Sequence, residues 1–197
     1  MHSAYSVDGM TMITTADTSE DRADVQAFFH SHFEEIAPNA VPAVEHDHLY
    51  APVILTVREN DGTGRILAAS LSCRTNDIAG ALMVPFAGNQ FEAARKVAPL
   101  HSNLDLLATD PTARGTGLAS ALIDETEKRL AESGVRVWFG CVTNDLDSTQ
   151  LRPYYQRHGF TVLDDGAPLP PLVGYDKWNL GKDDVTFHFY KRITNQS

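Results

Sequence analysis

The sequence predicts an α/β fold, with strands and helices interleaved in one domain, and three observations predict it. A short apolar run, Leu104 to Thr109, is broken by Asp110-Pro111 and followed by Arg114-Gly115-Thr116-Gly117 and an amphipathic helix. Two strand-like runs at 52–58 and 65–74 are joined by Asn60-Asp61-Gly62-Thr63-Gly64, a turn cluster that makes them a hairpin. Near the end of the chain, Val185, Phe187 and Phe189 alternate with Thr186, His188 and Tyr190, the two-residue period of a strand.

The first strand is expected at 10–14, with 1–9 a loose tail ahead of a single domain over 10–197. Thr18, with Asp21 three residues on, has the pattern of a helix start. Val25, Phe29, Phe33 and Ile36 then mark one face of a helix that Pro38 stops. Phe28, Phe29 and Phe33 belong to the core or to a pocket wall. Residues 39–51 read as loop. After the hairpin comes a long connection, 76–100, punctuated by Gly80, Pro85, Gly88 and Pro99, with a short helix at 90–97. Connections of that length are often functional. This one either covers a substrate site or makes a dimer contact through Leu82, Met83, Val84 and Phe86.

The helix after the 104–109 strand, at 114–133, is expected to bury Ala119, Leu122, Ile123, Thr126 and Leu130. Residues 135–142 form the next strand. Asp147 to Gln150 suit the cap of a short helix, with Pro153 tolerated in its first turn, and 160–163 is a sixth strand. Residues 164–184 carry Pro168, Pro170, Pro171 and Gly174 and read as a loop around Tyr175 and Trp178. The last strand is 185–193.

With 197 residues, 43% of them hydrophobic, the chain can bury the core of one domain. The formal net charge of −10 argues against nucleic acid as a partner, which wants a basic face. It suits cationic substrates, or solubility alone. Cys73 and Cys141 fall in strands and suggest buried thiols in a reducing cytoplasm. No apolar run has a membrane-spanning length, and no signal-peptide pattern opens the chain. His46-Asp47-His48 has metal-ligand residue types but no further Cys or His at ligand spacing, so no metal is expected.

A strand, a small-residue turn and a helix N-terminus together make a phosphate or pyrophosphate site, because the first amides of a helix lack intrahelical partners. The 104–120 stretch is not a Walker A loop, lacking its Gly-Lys-Ser/Thr ending, nor a dinucleotide fingerprint. Arg114, Gly117 and Ala119 resemble the Arg/Gln-x-x-Gly-x-Gly/Ala signature of the GNAT acyltransferase superfamily. Downstream, Asn144 and Pro153-Tyr154-Tyr155-Gln156-Arg157-His158-Gly159-Phe160 look like that family's Asn … Tyr-x-x-x-Gly-Phe ending. The resemblance is close over 104–163 and elsewhere rests on the element order β-α-β-β-β-α-β-α-β-β.

That resemblance implies the GNAT fold: a mixed, mainly antiparallel sheet of six to seven strands with helices on both faces. It implies acetyl-CoA as cosubstrate, lying where the fourth and fifth strands splay apart. The pantetheine would meet the backbone of Leu107, Ala108 and Thr109. The pyrophosphate would rest on the amides of Arg114, Gly115, Thr116, Gly117, Leu118, Ala119 and Ser120, with Asn144 opposite. The acyl acceptor would be an amine of a small molecule or a peptide. It must be deprotonated to attack, since an alkyl ammonium has a pKa of about 10.4. The Ala108 or Thr109 N–H would steady the carbonyl oxygen. Tyr155 is the positional match for the acid that protonates the leaving thiolate, and Tyr154, about 100° round the helix, belongs to the core.

The base is more open. The position of the strand Glu that some relatives use holds Phe139 here. Asp105, on a strand face with Leu107 and Thr109, is the candidate; His101 is the weaker one, and a relay through water the third possibility. Residues 76–100 and 165–183, including Trp178, are expected to bound the acceptor pocket. A monomer or a homodimer fits. The alternative function is an acyl-CoA-binding module without turnover.

Overall fold

The predicted hairpin is the centre of the first half of the sheet. In the computed structural model, which describes residues 12–60, 63–84, 91–180 and 184–194, β2 (Val53–Arg58) and β3 (Ile66–Cys73) pair antiparallel. β1 (Ile13–Thr15) flanks β2, and β4 (His101–Thr109) flanks β3, both antiparallel. β5 (Val137–Thr143), β6 (Thr161–Val162) and β7 (Val185–Arg192) complete one sheet of order β1-β2-β3-β4-β5-β7-β6. The pair β4–β5 is parallel and the other pairs are antiparallel, as the mixed sheet required. The expected tail at 1–9, and residues 61 and 62 of the hairpin turn, lie outside the described residues.

Helices cover both faces. α1 (Ser19–His30) begins with the expected reciprocal cap: Thr18 Oγ1 accepts from the Asp21 amide at 3.1 Å, and the Asp21 carboxylate accepts from Thr18. Its Val25, Phe28 and Phe29 pack on one face of the sheet with Ile54, Leu71, Leu106 and Ala108. The helix ends at His30, not near Pro38. Ser31 Oγ donates to the Phe28 carbonyl at 2.7 Å and His32 Nδ1 lies 2.8 Å from it, so local side chains take up a carbonyl that a longer helix would use. Phe33 and Ile36 therefore stand in the loop beyond. On the opposite face, α5 (Leu118–Glu132) buries Leu122, Ile123, Thr126 and Leu130 as its period predicted, with Ala119 only half-buried. Among the described residues no helix is long and apolar enough to cross a membrane.

Segments expected as loop carry short helices. α2 (Asp47–Tyr50) follows a single 3₁₀ turn at Val44–His46. Asp47 is committed to the buried Arg22, whose two terminal nitrogens reach its two oxygens at 2.6 and 2.9 Å. Arg22 also donates to the Ala16 and Pro42 carbonyls, which pins the 37–47 segment to α1. α3 (Asn76–Met83) and α4 (Glu92–Val97), the latter the short helix expected at 90–97, form a small core of Ile78, Ala81, Ala94 and Val97. Of the proposed dimer residues, Leu82 turns into that core, Met83 and Val84 are exposed, and Phe86 lies outside the described residues.

Residues 165–180 run as the loop the sequence predicted, but Trp178 does not bound the cavity as expected and turns inward instead. Its ring lies 5.0 Å from that of His101 and 4.8 Å from that of Phe139, plugging the sheet beside α3 and α4. His101 is consequently buried, with Nδ1 3.0 Å from the Val97 carbonyl oxygen, and is no candidate base. Burial drives its imidazole down to about 4. The folded chain thus keeps His101 neutral where an unfolded histidine gains a proton near 6.5. Stability from this group is fully present above pH 6.5 and is lost as the pH falls toward 4, by about 3 kcal/mol. Urea unfolding of His101→Gln should show a flatter decline across that interval than the parent. An equal decline in both would show that other groups set the acid limit.

Candidate active site

The site grows out of one irregularity in β4. Against β3 its register runs Ala69↔Ala108, Ser70↔Leu107 and Leu71↔Leu106, then jumps to Ser72↔Leu104. Asp105 is the extra residue of a β-bulge. The packing agrees: Leu106 and Ala108 face α1, while both Leu104 and Leu107 pack on the α5 side. A regular strand would put Leu104 and Leu107 on opposite faces, so their shared side marks the break in alternation at Asp105.

At the bulge the strands separate. The parallel ladder runs from His101↔Val137 to Leu104↔Gly140 and stops there. β4 beyond Leu104 and β5 beyond Gly140 each turn an edge toward the other with no ladder between them. Gly140 makes the last pair possible. A Cβ there would stand 2.6 Å from the Phe189 ring and 2.8 Å from the Leu104 carbonyl oxygen. Phe189 in turn carries the ring of Tyr155, stacked at 3.9 Å.

The gap opens into a cavity of about 880 Å³. Leu104 to Leu107 form one wall, Cys141 to Leu146 another, and Tyr155 the back. Phe33 to Ile36, the segment from Val41 to Tyr50, and Cys73, Asn76 and Met83 close the remaining side. Of the residues singled out by sequence, Asp105, Leu107, Asn144 and Tyr155 meet here. Ala108, Thr109 and the turn at 114–120 lie further along, beyond the lining. The two long connections reach the cavity through Asn76, Met83 and Leu180, and not through Trp178. Cys141, expected to be buried, is half-exposed on the wall.

The two tyrosines of α6 (Ser148–Arg157) separate as their spacing predicts. Tyr155 lines the cavity and is buried, which raises its phenol above the ordinary value, with smaller contributions from Tyr154 and Cys141. Tyr154 packs against His158 outside the lining, and burial pushes its phenol up to about 12. Its hydroxyl makes no hydrogen bond of good geometry among the described residues. Across the gap, the Asn144 amide donates to the Asp184 carbonyl at 2.9 Å, and its side-chain oxygen accepts from Thr186 at 2.6 Å.

The turn after β4 is braced from the hairpin. Arg65 donates to Asp110 at 2.8 Å and to Thr112 at 3.0 Å, and Asp110 accepts from the Thr112 amide at 2.8 Å. These Thr112 bonds hold the Asp110 carboxyl below its usual value. A 3₁₀ turn at Pro111–Ala113 follows, then Gly115 at φ 77° and Gly117 at φ 85°. A right-handed helix cannot pass through such angles, so α5 begins at Leu118 and not at Arg114. Among the described residues, the amides of 114–120 make no backbone hydrogen bond. They therefore remain open to an anion, beside the exposed Arg114 guanidinium.

Residues 63–162, half of the chain, match a family model described as an acetyltransferase (GNAT) domain. The chain belongs to the GNAT acetyltransferase family. Solved structures of GNAT-type enzymes share its fold at low identity. The ribosomal-protein-S18-alanine N-acetyltransferase from Escherichia coli is 14% identical, over 94% of this chain and 95% of that one, with a TM-score of 0.58. Tetrahymena GCN5 is 11% identical, over 95% and 98%, with a TM-score of 0.59. An aminoglycoside 6'-N-acetyltransferase complexed with coenzyme A is 12% identical, over 94% and 99%, with a TM-score of 0.56. No curated protein matches the sequence. In this GNAT chain the parted strands and the open amides of 114–120 fit an acyl-CoA: an extended amide-bearing arm for the strand edges, and a diphosphate for the turn.

Proposed function

We propose that the chain moves the acetyl group of acetyl-CoA to an amine by direct attack. The observation that carries the reading is the convergence of open strand edges, the Asp105 bulge and the Tyr155 hydroxyl-bearing ring on one cavity. Acetyl-CoA supplies the thioester, an acyl group on a good leaving sulfur. The backbone of Leu107, Ala108 and Thr109 orients the pantetheine arm, and the Ala108 or Thr109 N–H donates to the carbonyl oxygen. The amides of Arg114, Gly115, Thr116, Gly117, Leu118, Ala119 and Ser120 hold the diphosphate, with Arg114 adding a charged donor. Asn144 contacts the arm from just beyond β5. Asp105, directly or through a water, takes the proton the amine must lose. Tyr155 gives a proton to the departing sulfur. Its raised phenol pKa keeps that proton in place at neutral pH.

Incubation with radiolabelled acetyl-CoA and an amine panel tests the reading. Label is expected in an amide product, and CoA should raise the melting temperature where ATP and NAD do not. CoA binding with no labelled amide would favour a binding module without turnover. Stabilisation by ATP or NAD in preference to CoA would remove the assignment.

A further inference from the structure

The cavity is a ligand site on grounds independent of its charge, because two strands part there and leave their edges open. Its charge then says what enters. Five carboxylates line it, from three parts of the chain: Glu34 and Glu35 after α1, Asp105 at the bulge, and Asp145 and Asp184 at the ends of β5 and β7. Among the described lining residues there is no lysine or arginine, and His46 is the one histidine. Glu34, Glu35, Asp145 and Asp184 form no ion pair with a lysine or arginine among the described residues.

A cleft lined by one sign of charge concentrates ligands of the other sign. A carboxylate next to an ammonium also holds it protonated, and a protonated nitrogen has no lone pair with which to attack. An acceptor with a single amine would be held by the outer carboxylates for much of the time, away from Asp105. We infer that the acceptor is an aliphatic amine carrying a second cationic group. The distal cation rests among Glu34, Glu35 and Asp184, and the reacting nitrogen stands at the Asp105 and Tyr155 end. The apolar side chains of Phe33, Ile36 and Tyr50 offer a surface for the spacer between them. This inference rests on the acyl-transfer reading for the direction of the reacting nitrogen.

Calorimetry on the intact chain tests it in two stages, neither of which needs turnover. CoA is titrated first, then the CoA-loaded chain is titrated with an α,ω-diaminoalkane, with the amino alcohol of the same length, and with the ω-amino carboxylate of the same length. A short peptide with a free N-terminus and one lysine supplies the same two charges from another source, and its affinity relative to the diamine tells the sources apart. The diamine or the peptide should bind at least about fivefold more tightly than the amino alcohol, and the carboxylate weakest. Glu34→Gln with Glu35→Gln should shrink that preference by about fivefold. An amino alcohol that binds as well as both dications overturns the inference, as does a preference that survives the double substitution. Absence of CoA binding in the first stage overturns the acyl-CoA reading instead, and the amine titrations on the free chain still decide the charge selection.

Discussion

Tyr155→Phe should lower kcat by roughly 10- to 1,000-fold, while Tyr154→Phe should cost less than about threefold. Of these two tyrosines Tyr155 alone lines the cavity, and its ring is held by the 3.9 Å stack on Phe189, which a phenylalanine keeps. CoA affinity and stability should therefore change little, and the loss should fall on kcat. The pH dependence has a definite sign. Burial raises the Tyr155 phenol above its ordinary value of about 10, so the acid form persists through neutral and mildly alkaline solution. A fall in kcat caused by ionisation of Tyr155 should lie above pH 10 in the parent and vanish in Tyr155→Phe. Steady-state rates of the two variants across pH decide the matter. If Tyr154→Phe is the damaging change, the acid sits one residue earlier on α6. If neither matters, the sulfur leaves as a free thiolate.

Gly117→Val should weaken CoA binding by about 100-fold or more in a chain that still folds. A Cβ at this position would meet nothing within 4 Å, so the ligand-free fold has room for it. The obstacle is the backbone: φ is 85°, and a β-branched residue forced there costs of order 1–3 kcal/mol. Relief of that strain would swing the 114–120 amides away from the arrangement proposed to hold the diphosphate. Asparagine tolerates the left-handed region, so Gly117→Asn should lose no more than about tenfold. Calorimetric titration with CoA, and circular dichroism to confirm folding, provide the check. A folded Gly117→Val chain that binds CoA like the parent would remove the diphosphate from this turn.

Much of the frame could be read in the sequence because it is written in local periods. The 3.6-residue repeat of Leu122, Ile123, Thr126 and Leu130, and the alternation of Phe187 and Phe189, face the core as their spacing demands. The turn at 114–120 and Tyr155 could be singled out because the motifs that carry the family resemblance keep fixed, short spacings. What escaped depends on partners far along the chain. Nothing near Asp105 announces a bulge; it appears only when β4 is laid against β3. Gly140 looks like any strand glycine until Phe189 crosses it. The carboxylates of the cavity are scattered from Glu34 to Asp184, and only folding collects them. α3 was hidden by Gly80 in its middle, and Trp178 was misread because aromatic residues in a proline-rich loop carry no sign of the inward turn onto His101.

The four register pairs between β4 and β5 also divide the sheet into two antiparallel halves, β1 to β4 on one side and β5, β7 and β6 on the other. The neighbouring ladders are longer, with six pairs in β3–β4 and seven in β5–β7. Setting aside the edge strands β1 and β6, opening along this seam breaks fewer ladder pairs than opening anywhere else in the sheet, so the halves should exchange their amide hydrogens as separate cooperative units. A molecule lying across the gap supplies bonds the ladder lacks and makes that opening rarer in proportion to its occupancy. Deuterium uptake along β5 is then a gauge of how full the gap is, readable without any knowledge of the acceptor.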